Sequence, residues 1–337
     1  MQMPIVIRKP KIHKFWELDR DGVTQSLLAK WLQCPERARL AYIEGFSSIY
    51  LSKHLEFGSL VHEVLDRIYT SWLLGKQADS PIDLQVYVKN GLTIQKSKDQ
   101  ERINSLGIQS QDAVDMLEEN YAIAEPTLSE YFAHWQSDWG RFEWVGLEEK
   151  FNMPFETPFS DKPIYLRGKF DGIMRLGGKL WLFETKTKSR IEEEDIVDKL
   201  GFDLQVCMYL YALEKIYGER PKGVIYNIMR RSSVRRDKDM SLIAYSNKIR
   251  EDIKKRREFY FMRYECSMTD DDREKWLKNF NGMMQAFIAW TKGENQFQNH
   301  MSCSGQFGRC EFLNICGKSD VTFYKKRPLV FPELDGE

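Results

Sequence analysis

The sequence has no apolar run long enough to span a bilayer, and its opening residues, MQMPIVIRKPKIHKFW, lack the apolar stretch of a secretory signal. A cytoplasmic protein without a membrane partner is therefore the default expectation. Neither sign of charge is in excess. Fifty lysines and arginines balance fifty aspartates and glutamates, so no bulk field draws the chain to nucleic acid, and such a contact must come from local patches. The chain also lacks internal repeats and low-complexity stretches that would mark a clean domain cut. No Walker-type glycine loop is visible, which argues against a built-in motor. The six cysteines include no C-x-x-C pair, which makes a zinc ribbon an unnatural use for them. In a reducing compartment they are not a disulfide framework either.

What is present is an ordinary globular composition over 337 residues. Residues 24–44 read as helical apart from Pro35, and 59–74 carry Val61, Leu65, Ile68 and Trp72 at the helical period. Residues 80–135 read as mostly helical. Near Phe142 the texture changes: 143–151, 164–175, 179–187 and 222–229 are short, rich in β-branched and aromatic residues, and bounded by Gly or Pro, as strands are. Helices are expected at 203–217, 246–264 and 271–292. The fold class is α/β. The expected organisation is one composite domain: a mainly helical region at 1–140 carrying Cys34 and His62, a core at 141–265, and a C-terminal helix with a cysteine segment at 266–337.

The segment LRGKFDGIMRLGGKLWLFETKTK contains two strands joined by Gly177-Gly178, and a two-residue type I′ turn needs positive φ at both positions. Such a turn pairs Leu176 with Lys179 and sets Asp171 directly opposite Glu184. Facing carboxylates are unfavourable in a sheet unless a cation lies between them. Lys186, two residues on, shares the face of Glu184. Carboxylates that hold Mg²⁺ or Mn²⁺, with an ammonium group to orient a nucleophilic water, are what phosphodiester hydrolysis requires. The ordinary alternative is a surface hairpin whose acids pair with Lys169 or Lys186.

GKFDG followed by a hairpin and FETKTK resembles motifs II and III of the PD-(D/E)XK nuclease superfamily, and QVCMY at 205–209 is similar to the Q-x-x-x-Y motif of its RecB-like branch. The resemblance implies a restriction-endonuclease-like α/β core, a mixed central sheet flanked by helices. It implies catalytic roles for Asp171, Glu184, Lys186, Gln205 and Tyr209. It also implies a metal site of Asp171, Glu184, Thr185 and a histidine, for which GSLVHEVLD nominates His62, with His54 as the rival. Glu149 is a weaker candidate for the same site.

The same branch includes AddB-type and CRISPR-associated nucleases with an iron-sulfur cluster, held by one cysteine before the nuclease motifs and three after them. Cys34, Cys303, Cys310 and Cys316 have that arrangement, although the spacing of the last three departs from the tighter form of some members. A [4Fe-4S] cluster is expected ahead of zinc, and Cys207 and Cys266 read as packing residues in helical segments. Closing roughly 270 residues between Cys34 and the tail would constrain the unfolded chain by on the order of 5 kcal/mol.

For nucleic acid, MRRSSVRRDKD at 229–239 offers Arg230, Arg231, Arg235 and Arg236 to phosphates. Phe259, Tyr260 and Phe261 are offered for stacking on unpaired bases, beside a basic helix face that reads first as merely solvated. The expected activity is hydrolysis of linear DNA from a free end, single strands favoured, in recombination, repair or phage DNA processing with a helicase or recombination partner. The alternatives are a CRISPR-adaptation nuclease that trims spacers and a non-catalytic scaffold that binds DNA ends.

Overall fold

The structure is a computed structural model that describes residues 15–49, 52–74, 81–105, 111–305 and 308–336. Most of the opening segment read above for a secretory signal lies outside these residues. The chain forms two compact units, one of residues up to Ile49, Pro154–Arg167 and from Asn281 onward, the other of Tyr50–Met153 and Gly168–Phe280. Among the described residues, no helix is long and apolar enough to cross a membrane.

The larger unit holds helices α1 (Lys53–Leu73), α2 (Pro81–Ser105) and α3 (Gln111–His134). Strands β1 (Glu143–Phe155) and β2 (Ile164–Leu176) cross the boundary between the units; β3 (Lys179–Lys188) lies in the larger one. There follow α4 (Leu204–Tyr217), β4 (Gly223–Arg230), α5 (Leu242–Lys255) and β5 (Phe261–Ser267). The sheet runs β2, β3, β4, β5, with β1 against β2. β3 pairs antiparallel with β2 and parallel with β4, and β4 pairs antiparallel with β5. A parallel neighbour needs a crossover, and α4 lies in the connection between β3 and β4. β4 is buried along all but its last residue, as a central strand is, with Asn227 the polar residue inside the run.

The hairpin has the expected register. Gly177 and Gly178 have φ of 59° and 72°, Leu176 pairs with Lys179, and the ladder extends to Gly172 opposite Phe183. Asp171 and Glu184 are the next residue on each strand. α1 begins six residues before the segment expected from periodicity and buries Phe57, Val61, Leu65, Ile68 and Trp72. Its Tyr69 stands 4.8 Å from Trp144, which stands 5.2 Å from Phe183 between ring centroids. Burying a ring such as Phe183 contributes about 2–3 kcal/mol.

One expected element is different. The helix placed at 246–264 ends at Lys255, where Arg256 takes φ −145°, and Phe261–Ser267 forms strand β5. The basic run hid a strand whose alternation is carried partly by a buried arginine, Arg263, paired with Asp138 at 2.7 Å. Cys266 therefore lies in a strand, and Cys207 is buried on α4. Tyr260 and Phe261 are buried in the core, which removes them as stacking platforms.

In the smaller unit the expected helical run at 24–44 is three pieces: Gln25–Gln33, Pro35–Ala38 and a π-helical turn Arg39–Ile43. The Thr24 hydroxyl caps the first by accepting from the Leu27 N–H. Val23 and Thr24 pair with Leu166 and Arg167, and Trp31 packs edge-on against Phe287 with ring centroids 5.3 Å apart.

Candidate active site

Glu184 stands at the point of β3 where its ladder with β2 gives way, and its side chain is buried. Its Oε1 accepts from Lys186 Nζ at 2.6 Å and from Gln205 Nε2 at 2.8 Å, while Lys186 also donates to Gln205 Oε1 at 2.9 Å. Its Oε2 is buried with no partner. An acceptor left in that state costs about 1–3 kcal/mol, more when charged. Gln205 reaches the carboxylate from the first turn of α4, whose start is fixed by Asp203 accepting from the Val206 N–H at 3.0 Å.

Asp171 Oδ2 accepts from the Thr185 N–H at 2.9 Å, and its Oδ1 lies 3.6 Å from His62 Nδ1. The Thr185 hydroxyl accepts from Asn227 Nδ2 at 3.3 Å, and Asn227 Oδ1 accepts from Arg263 Nε at 2.9 Å. A buried chain of hydrogen bonds thus backs the residue that holds Asp171. One ligand atom each from His62, Glu148 and Asp171 lies within 4.8 Å of the others. Glu148 enters this group because it adopts φ 50° within β1, and it pairs with Lys169.

Glu149, the weaker acidic candidate, points elsewhere and accepts from the Tyr217 hydroxyl at 3.0 Å. Period-two alternation sends adjacent residues to opposite faces, so the pair Glu148-Glu149 gave no sign of which one enters the site. The left-handed residue decided it. His54 meets Ser189 Oγ at 3.2 Å and takes no part in the group. Tyr209 is packed edge-on against Phe151 and Phe170 at 5.3 and 5.6 Å, in space that a Cβ on Gly168 would crowd.

The electrostatics are those of a crowded acidic cluster in which Glu184 is fully buried and Asp171, Glu148 and His62 are half-buried. Burial raises the pKa of Glu184, reinforced by Asp171 beside it, and burial also raises that of Asp171. Glu148 is pushed up to about 7, burial outweighing its Lys169 partner. Lys186 is shifted up despite its burial, because Glu184 and Asp171 face it. His62 is lowered to about 4 by burial and by Lys186, which leaves its imidazole neutral and able to donate a lone pair. A divalent cation fits His62, Glu148 and Asp171, and its charge would relieve the crowded carboxylates. Oxygen ligands with one imidazole suit a hard or borderline ion such as Mg²⁺ or Mn²⁺.

In the smaller unit Cys34, Cys303, Cys310 and Cys316 line one pocket, bordered by Arg37, Asn299 and Phe312, and none is in a disulfide. The Asn299 N–H donates to Cys34 Sγ at 3.3 Å. Among the described residues, the group whose ligand atoms stand within 4.8 Å of one another is His62, Glu148 and Asp171, and no cysteine belongs to it. Of the four arginines expected at phosphates, Arg231, Arg235 and Arg236 line an open pocket of the larger unit, whereas the Arg230 guanidinium lies 3.9 Å from the centroid of Phe259.

No curated protein matches the chain. Among solved structures, a candidate exonuclease from Eubacterium rectale matches with 15% identity and a TM-score of 0.45, covering 94% of each chain. A protein described as SSO0001 matches with 14% identity and a TM-score of 0.31, covering 67% of this chain and 79% of its own. The PD-(D/E)XK nuclease superfamily matches over residues 23–317, a span that takes in every residue of the carboxylate cluster and Cys34, Cys303, Cys310 and Cys316. The chain therefore belongs to the PD-(D/E)XK nuclease superfamily.

Proposed function

We propose that the chain is a Mg²⁺- or Mn²⁺-dependent deoxyribonuclease that hydrolyses phosphodiester bonds from the ends of linear DNA. The observation that carries the reading is the buried Glu184 carboxylate, with one oxygen held by Lys186 and Gln205 and the other aimed at no donor. A structural carboxylate at that depth would have both oxygens satisfied.

Asp171, Glu148 and His62 would hold the cation, with Thr185 setting Asp171 through its N–H, and Glu184 would add a ligand through its unpartnered oxygen. When bound, the metal lowers the pKa of a water and offsets charge building on the phosphate. Lys186 holds Glu184 and, with a strand present, orients the attacking water. Gln205 bridges the two, so the lysine and carboxylate keep one relative geometry. In the smaller unit, Cys34, Cys303, Cys310 and Cys316 would hold a [4Fe-4S] cluster, which acts as a clamp between the two ends of the chain sequence.

The test compares the wild type with Glu184→Ala, purified without air, on end-labelled linear and on circular DNA, single- and double-stranded, with Mn²⁺ or Mg²⁺. Metal-dependent loss of linear but not circular DNA, reduced at least 10³-fold in the variant, is expected. Cleavage of circles would remove the exonuclease assignment. Full activity in a folded Glu184→Ala protein would move the site elsewhere.

A further inference from the structure

The basic segment after β4 folds into an open pocket of about 560 Å³. Its lining carries five basic side chains against two acidic ones. Both acids are already engaged, Glu119 by Lys53 at 2.8 Å and Asp237 by Lys248 at 3.1 Å. Arg231, Arg235 and Lys238 make no ion pair among the described residues. Arg231 is held in place: it donates to Asn120 Oδ1 at 3.1 Å and lies 5.3 Å from the Phe57 ring centroid, while its buried Nε has no partner. Lys53, also in the lining, is the first residue of α1, a 21-residue helix whose Ser52 makes no side-chain cap. Positive partial charge at that terminus adds to the basic field.

The pocket is related to the carboxylate cluster through α1. His62, Gly58 and His54 stand four residues apart and share one face of the helix. His62 belongs to the cluster, a Cβ on Gly58 would stand 3.2 Å from Thr187 Oγ1, and His54 meets Ser189 Oγ at 3.2 Å. This face therefore follows the end of β3 from the cluster toward Lys53. The nine helical steps from His62 back to Lys53 rise about 14 Å, the length of about four stacked nucleotides at roughly 3.4 Å each.

We propose that this pocket is a second phosphate subsite, holding a phosphate of the nucleic-acid strand about four nucleotides from the one at the carboxylate cluster. The identity of the strand rests on the nuclease reading above. Arg231, Arg235 and Lys238, which make no ion pair among the described residues, supply charge-assisted donors, and a phosphate oxygen is the acceptor they lack.

The test is fluorescence anisotropy of the full chain in EDTA with a short single-stranded DNA that carries a 5′-phosphate, a 3′-phosphate or neither. Arg235→Ala/Lys238→Ala removes two exposed side chains. Its affinity is expected to fall at least five-fold, with the slope of log affinity against log salt flattened by about 0.7 for one lost phosphate contact. Lys254→Ala/Lys255→Ala removes the same charge elsewhere and should stay within two-fold of wild type. A preference for one phosphorylated end that the first variant abolishes assigns a terminal phosphate; equal loss on all three strands assigns an internal one. Unchanged affinity in the first variant, or equal loss in both, overturns the subsite. Because binding is read without metal, a strand that binds in this way but is not cut on adding Mn²⁺ sinks the nuclease reading and leaves the subsite standing.

Discussion

The Glu184 carboxylate, crowded by Asp171 and removed from water, prefers its proton more than a free glutamate does, and Glu148 shares that preference with a pKa of about 7. Raised acid pKa values mean that below neutrality protons occupy the positions a cation needs, and above it the carboxylates are free. Mn²⁺ affinity measured by calorimetry should therefore rise from pH 6 to pH 8, with protons released on binding. An affinity flat across that range would argue against Glu148 and Glu184 as ligands. Glu311 provides the opposite sign. Burial alone would raise its pKa, but Lys30 and Arg37 outweigh burial and lower it to about 2. A depressed carboxylate stabilises the fold above its unfolded pKa near 4.5 and loses that contribution as pH falls toward 2. The stability difference between wild type and Glu311→Gln, measured by denaturant melts, should be largest near pH 7 and shrink below pH 4.5.

Two glycines of the hairpin show how an element positions the site. A Cβ on Gly172 would stand 2.6 Å from the Trp144 ring and 3.3 Å from Phe183 Cβ, whereas one on Gly177 would meet nothing. Gly172→Ala must push β1 from β2 one residue from Asp171, so it should destabilise by about 1–3 kcal/mol and also lower activity. Gly177→Ala has space but sits at φ 59°, so it should cost about 1 kcal/mol in stability and leave activity of the folded protein unchanged. Thermal melts paired with the nuclease assay separate the two. Equal activity losses would mean that the turn, and not the packing behind Asp171, governs the carboxylates.

At the scale of the whole molecule, a four-cysteine cluster would join residues far apart in the chain. Closing a loop of that length constrains the unfolded state by on the order of 5 kcal/mol, comparable with the stability of a domain. Cys310→Ala should accordingly lose the broad absorption near 400 nm expected of an iron-sulfur protein and melt well below the wild type, although no group of the carboxylate cluster is altered. A colourless variant with an unchanged melt would remove the clamp.

Sequence by itself determined the α/β class, the register of the Gly177-Gly178 hairpin and the adjacency of Asp171 and Glu184. These follow from turn chemistry and a period of two, which act between neighbours in the chain. Motif order nominated His62 and Gln205, which the structure sets beside Asp171 and Glu184. Tertiary structure alone decided the rest. Glu148 entered the cluster in place of Glu149 through one left-handed residue, and β5 formed where a basic run read as helix because Asp138 and Asn227 gave Arg263 buried partners. The Tyr209 ring packs against Phe151 and Phe170 because Gly168 left room for it. Each outcome depends on a partner distant in sequence, whose position exists only once the sheet has formed.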